Sequence, residues 1–240
     1  MSKAEFLPAQ RHEAIEPLAD DVWWVPGTMR MNWYMTISRN MVVVRSGDEL
    51  TLINPVRLDE AGEAALEQLG HVRHLVRLGC FHGCDDAYLK QRFDAQFWCQ
   101  ANSRQYPSPA PDHELAEGGQ LPFPDAQLLV FHEVKRPESA LLVRRGPGLL
   151  VTCDSLQHYA NWSRHSIVPR LMLPRIGFSK SMLVGPLWKK FQTPEGGSLR
   201  PDFERLLALE FDSLISAHGQ PLMQGAKAAA RDAVTKAFTN

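Results

Sequence analysis

The order of apolar runs along the chain restricts the fold more than any other feature. Four short runs rich in β-branched and aromatic residues crowd into the first quarter: residues 22–25, closed by Pro26-Gly27, then 33–37, 41–45 and 50–53. Turn residues separate the later ones, at Ser46-Gly47-Asp48 and Asn54-Pro55. Such runs between turn signals read as strands, and their close spacing predicts an antiparallel meander. The period then changes. Residues 58–69 place Ala64, Ala65, Leu66 and Leu69 at helical spacing, with Asp59 to cap the start and Gly70 to end it. A strand at 74–78, a loop at 79–86, a helix at 87–93 and a strand at Gln96–Cys99 follow. This β-α-β-α-β order produces a sheet with helices on its outer face.

Residues 101–124 are rich in Pro, Gly and Ser and are expected on the surface. A second meander follows at 126–131, Ser139–Val143 and Leu149–Thr152, with a turn at Gly146-Pro147-Gly148. From 159 to 197 the chain is mixed and basic: Arg164, Arg170, Arg175, Lys180, Lys189, Lys190 and the nearby Arg200 stand against one acid, Glu195. A helix is expected over 202–213, interrupted at 215–219, and a closing helix over 222–238. The expected organisation is one domain over 1–240 with a basic insertion at about 160–200.

Composition excludes several classes. Hydrophobic residues at 44% and charged residues at 22% are ordinary globular values, which rules out wholesale disorder. Lys plus Arg is 26 against 27 for Asp plus Glu, so a dedicated nucleic-acid binder, with its basic excess, is not expected. No apolar run approaches the roughly 18–20 residues of a membrane span, and the first residues lack the apolar core of a signal peptide. The expectation is a soluble, cytoplasmic protein with no membrane or nucleic-acid partner. Four cysteines, at 80, 84, 99 and 153, are too few for a disulfide scaffold and should remain thiols.

The polar residues of interest sit at strand ends. In Cys80-Phe81-His82-Gly83-Cys84-Asp85-Asp86, alternate side chains of an extended segment point the same way, so Cys80, His82 and Cys84 could converge. Thiolate, imidazole and carboxylate make a plausible zinc-type ligand set. Two buried cysteines, a backbone-bonded histidine and an aspartate helix cap explain the same loop without a metal. Asp154 follows the strand ending at Cys153, and His218 follows Leu214-Ile215.

Taken in order, these residues resemble the metallo-β-lactamase superfamily over roughly 18–237. The resemblance implies an α/β (α+β) fold, a four-layer αββα sandwich with its site along one edge of two sheets. The family's H-x-H-x-D-H signature falls on Cys80, His82, Cys84 and Asp85. Asp154 falls on the family's bridging aspartate, and Ser216-Ala217-His218-Gly219-Gln220-Pro221 resembles the final G-H-G-x-P segment. The histidine of P-G-H-T-P-G falls on Lys135, and Asn54 stands where the family has an aspartate that supports the ligands from behind. His132 would take the missing role with a three-residue shift, and His158 lies four residues beyond Asp154.

The expected metal set is therefore His82, Asp85, Asp154 and His218, with Cys80 and Cys84 as alternatives. It would serve one Zn, Mn or Fe ion, or none. Asp85 or Asp86 is the expected general base. Lys135 supplies an ammonium at a former ligand position, where Asp85 or Asp154 would be its partner. Two functions remain open: single-metal hydrolysis of a small ester, thioester or amide, and a metal-free pseudoenzyme that binds a ligand or partner in the same cleft. The expected partner is a small-molecule substrate or ligand. Trp23, Trp24, Trp33, Tyr34, Trp162 and Trp188 offer an aromatic-rich homodimer surface as a third reading.

Overall fold

The computed structural model describes residues 6–103 and 105–239. A seven-stranded sheet holds β1 (Glu16–Ala19), β2 (Val22–Arg30), β3 (Thr36–Ser46), β4 (Glu49–Ile53), β5 (His71–Arg77), β6 (Gln96–Cys99) and β7 (His113–Glu114), neighbours in chain order. The first four strands are antiparallel; from β4 onward the pairing is parallel. Helices α1 (Glu60–Leu69) and α2 (Asp86–Phe93) make the crossovers that parallel pairing requires. Asp59 caps α1 as expected, its side chain accepting the Gly62 N–H.

The second sheet runs β13-β10-β9-β8, built from β8 (Ala126–Val130), β9 (Ser139–Val143), β10 (Leu149–Thr152) and β13 (Ser213–Ser216). Strand β13 is parallel to β10, in the register Thr152 against Ser216. A two-stranded ribbon of β11 (Leu156–His158) and β12 (Met182–Val184) stands beside it. Helices α3 (Ile167–Met172), α4 (Pro186–Gln192), α5 (Arg200–Leu207) and α6 (Ala226–Phe238) follow.

Three apolar clusters define four layers. Val22, Trp24, Val42, Val44, Ile53 and Val76 from the first sheet meet Leu141, Val143, Val151 and Ile215 from the second. The outer face of the first sheet packs Leu50, Leu52 and Leu75 against Leu66 and Leu89 of α1 and α2. On the far side, Leu142, Leu150 and Leu214 pack against Trp188, Phe203, Ala230 and Val234 of α4, α5 and α6. The result is the αββα sandwich.

Four local expectations change. Strand β2 continues through Pro26-Gly27, because what the neighbouring segment uses there is the Pro26 carbonyl, which accepts the Glu13 N–H at 2.7 Å. The run expected as a strand at 33–37 joins its neighbour as β3, beginning only at Thr36, and Trp33 stands in the preceding turn, 81% exposed. The helix expected over 202–213 stops at Leu207, and residues 213–216 form a strand. Leu214 and Ile215 enter opposite cores, the alternation of a strand. The final helix begins only at Ala226, because Leu222 first exchanges two 2.8 Å backbone hydrogen bonds with Leu214 and covers the β13 edge.

No helix among the described residues is long and apolar enough to cross a membrane.

Candidate metal centre

Strand pairing brings the site together. Asp154 and His218 each lie two residues beyond the paired positions Thr152 and Ser216, so parallel β10 and β13 deliver them side by side. The loop after β5 reaches the same edge, because Ser139 N–H donates to the Leu78 carbonyl at 2.9 Å and Gly79 bridges to Glu138. That loop supplies His82.

The three donors converge. His82 Nε2 lies 3.2 Å from Asp154 Oδ2, and His218 Nε2 lies 3.0 Å from Asp154 Oδ1. The two rings are 5.0 Å apart, at 65°. One ligand atom from each residue falls within 4.8 Å of the others. His82 is buried, and burial lowers its pKa in spite of the Asp154 carboxylate beside it. Burial would raise the Asp154 carboxyl, but the two imidazoles overcome it and hold Asp154 well below the usual carboxylate range.

His218 carries the most informative contact. Its Nδ1 lies 2.6 Å from the Ser38 carbonyl, which can only accept, so Nδ1 bears the proton. In the neutral ring Nε2 then turns a lone pair toward an ionised carboxylate. The arrangement is favourable only if a positive charge lies between them, a proton on Nε2 or a metal ion. Metal-binding histidines characteristically donate their other ring N–H to a carbonyl in this way. Two imidazoles and one carboxylate suit a single divalent transition metal, and the donor set fits that group.

Gly219 positions this ring. Its φ is +79°, and a Cβ there would lie 2.0 Å from the His158 carbonyl oxygen. Its N–H donates to Ser38 Oγ at 3.0 Å, locking the turn to the strand that holds His218 Nδ1.

Asn54 stands close behind, at a φ of +52° that asparagine tolerates better than most residues. Its Nδ2 donates to the Thr152 carbonyl at 3.0 Å, and its Oδ1 accepts the Leu78 N–H at 3.4 Å. It ties the two sheets together and is not among the grouped donors.

The other expected ligands are held elsewhere. Asp85 Oδ2 accepts from Arg39 Nη1 at 2.7 Å and from the Arg57 N–H at 3.2 Å. Cys84 Sγ accepts from the same Arg39 nitrogen at 2.8 Å. Asp86, fully buried, accepts from Arg77 Nη1 at 2.7 Å. Burial, only partly offset by Arg77, pushes its carboxyl up to about 6. The expected general-base pair is thus engaged by two buried arginines and lies outside the histidine group. Cys80 is also outside it, and burial together with the Glu138 charge pushes its thiol up to about 12.

Lys135 does not face Asp154 or Asp85; its backbone N–H donates to the Gln192 carbonyl at 3.0 Å, and it lines a separate cleft with Phe131 and Val134. The cations that meet the loop's aspartates are Arg39 and Arg77. His132 stands at the surface, 3.5 Å from Glu117. His158 donates from Nδ1 to the Gln220 carbonyl at 3.0 Å. Of the tryptophans expected on a dimer surface, Trp24 and Trp188 are buried.

Glu138 has no counterpart in the sequence-based site. It is fully buried, and its Oε1 accepts the N–H groups of Asp154 at 2.9 Å and Ser155 at 3.0 Å, fixing the turn that carries Asp154. Burial and the Asp154 charge raise its carboxyl well above the usual range. Glu138, Cys153 and Asp154 form a second group within 4.8 Å; Glu138 Oε1 is occupied while its Oε2 has no partner, and burial keeps the Cys153 thiol protonated. The signals available in sequence were single charges inside apolar strands: Arg39 before Met41–Val44, Arg77 after Leu75-Val76, and Glu138 before Ala140–Val143.

No family of known proteins matches the sequence, and no curated protein does. Solved structures do. The chain is similar to VMB-1, with a TM-score of 0.68 at 10% identity, over 97% of this chain and all of that one. It is similar to the DIM-1 metallo-beta-lactamase, TM-score 0.63 at 8% identity, over 97% and 100% of the two chains. It is also similar to the metallo-beta-lactamase FIM-1 from Pseudomonas aeruginosa in its mono-zinc form, TM-score 0.60 at 14% identity, over 96% and 98%. The chain has the metallo-β-lactamase fold.

Proposed function

We propose that His82, Asp154 and His218 hold one divalent transition-metal ion, and that the protein hydrolyses a small ester, thioester or amide. The observation that carries this reading is the His218 ring, its Nδ1 against the Ser38 carbonyl and its Nε2 against an ionised Asp154. Zn, Mn and Fe all suit the donor set. Such an ion supplies Lewis acidity toward a carbonyl oxygen and toward water. The chain's own residues do the rest. Asp154 stays ionised, Ser38 fixes the His218 tautomer, and Glu138 fixes the Asp154 turn. Asp85 and Asp86 hold the loop of His82 through Arg39 and Arg77, a supporting role in place of general base.

The same distances favour a second reading. Asp154 already bridges both imidazoles at hydrogen-bonding distance, so a protonated His218 would complete the group with no ion. The protein would then be a metal-free binder with a ligand in the same cleft.

Elemental analysis of the untagged protein separates the two, beside Asp154→Ala and His218→Ala. About one equivalent of metal, lost in both variants, supports the hydrolase and justifies a screen of esters, thioesters and amides. A wild type that takes up no metal on reconstitution refutes it in favour of the metal-free binder.

A further inference from the structure

A cleft of about 620 Å³ opens between the segment preceding β1, the second half of β2 and the loop leading into α3. That volume suits a small organic ligand. Its lining is strongly one-signed: Arg11, Arg30, Arg164 and Arg170 stand against a single carboxylate, Glu13. Glu13 is already engaged, with Arg164 Nε at 2.9 Å and Arg164 Nη2 at 3.0 Å. Among the described residues, no carboxylate pairs with Arg11, Arg30 or Arg170. Arg30 gives only its Nε–H to the Asn32 carbonyl, and Arg170 donates to the carbonyls of Ser163 and His165. Carbonyl contacts satisfy donors but leave the positive charge uncompensated.

Two buried polar atoms in the wall add to this. His165 is 4% exposed and lines the cleft, and its Nδ1 has no hydrogen-bond partner. Arg164 Nη1 is likewise buried without one. Arg164 Nη1 is an unpartnered donor, and the neutral His165 ring can place its proton on Nδ1; beside uncompensated guanidinium groups they describe a place for oxygen acceptors carrying negative charge.

The cleft also adjoins the candidate centre. Ser166, on its wall, accepts the Thr36 N–H with its Oγ at 3.0 Å. Two residues along β3 from Thr36, Ser38 holds the His218 ring. The His165 ring stacks edge-on to Tyr159, whose own ring borders Gly219.

We infer that this cleft binds an oxyanion of the phosphate class, free or as the anionic head of a small organic molecule whose body extends toward His218. In the second form it rests on the proposed hydrolase and gives its substrate an anionic group. Binding of the anion itself does not require that reading.

Calorimetric titration with inorganic phosphate tests it on the full-length protein, against an Arg11→Ala/Arg30→Ala double variant. Both side chains are exposed, and neither belongs to the candidate centre. The double variant is expected to bind phosphate about tenfold or more weakly with unchanged metal content. Raising ionic strength from about 0.01 M to about 1 M, which shortens the Debye length from about 30 Å to about 3 Å, should weaken wild-type binding steeply. Glu13→Gln, which frees Arg164, should tighten it several-fold. A parallel titration with glycerol phosphate distinguishes the sources: tighter binding than inorganic phosphate identifies an organic body, and equal binding a free ion. Retained phosphate binding in His218→Ala protein would uphold the cleft even with the metal site lost. No phosphate binding at low ionic strength, or equal binding by wild type and double variant, would overturn the inference.

Discussion

Replacing Asp86 by asparagine removes a fully buried carboxylate while keeping an amide oxygen for Arg77. Asp86 Oδ1 has no partner, and burial raises the carboxyl from 3.8 to about 6 in spite of the Arg77 and Arg39 charges. The folded protein therefore holds this proton to about pH 6, while the unfolded chain releases it near the ordinary value. Between those limits folding takes up a proton, so this group's contribution to stability falls as pH rises. A shift of about two units corresponds to about 3 kcal/mol, the penalty being complete above about pH 7. Asparagine does not ionise and escapes it. Urea unfolding of wild type and Asp86→Asn at matched pH values reads the difference directly. The variant should gain about 3 kcal/mol relative to wild type as pH rises from about 3 to about 7. Whether it starts above or below wild type is immaterial, because only the slope reports the buried charge. A difference that stays flat with pH, or moves against the variant, would refute the reasoning and place Asp86 in a better-compensated environment.

Other perturbations follow from the same contacts. Gly219→Ala forces a Cβ onto the His158 carbonyl at a positive φ, and should cost at least about 1–3 kcal/mol and lower the metal content through His218, read by thermal unfolding and elemental analysis. Asn54→Ala leaves the Thr152 carbonyl and Leu78 N–H without their inter-sheet partner, and should cost about 1–3 kcal/mol in urea unfolding. Cys80, Cys99 and Cys153 are buried and their thiols raised by burial, so Ellman's reagent should titrate them only after denaturation; rapid reaction of any of these three in native buffer would contradict their packing.

Much of the fold follows from local pattern. Gln96–Cys99, Ser139–Val143 and Leu149–Thr152 form strands at the residues their sequence indicates, because short continuous apolar runs bounded by turn residues, here buried on both faces, are signals that act within a few residues. The cap at Asp59 is equally local. Residues 213–216 are not: Leu206, Leu207, Leu209 and Leu214 suit a helical spacing, and only pairing with β10 makes the last of them a strand. The same pairing places His218 beside Asp154.

For the site, sequence order singles out His82, Asp154 and His218 as strand-end polar residues, but does not separate them from Cys80, Cys84, Asp85, Asp86 and Lys135. Arg39 and Arg77 make that separation for Cys84, Asp85 and Asp86. They project from strands distant in sequence, and Asp85 goes to Arg39 and Asp86 to Arg77, since an ion taken out of water without a partner costs several kcal/mol. Residue types and their periods are written locally, so the chain by itself determined most of the strands, the crossovers and the set of polar candidates. Which charge meets which depends on distances across two sheets, and only the tertiary structure decided that.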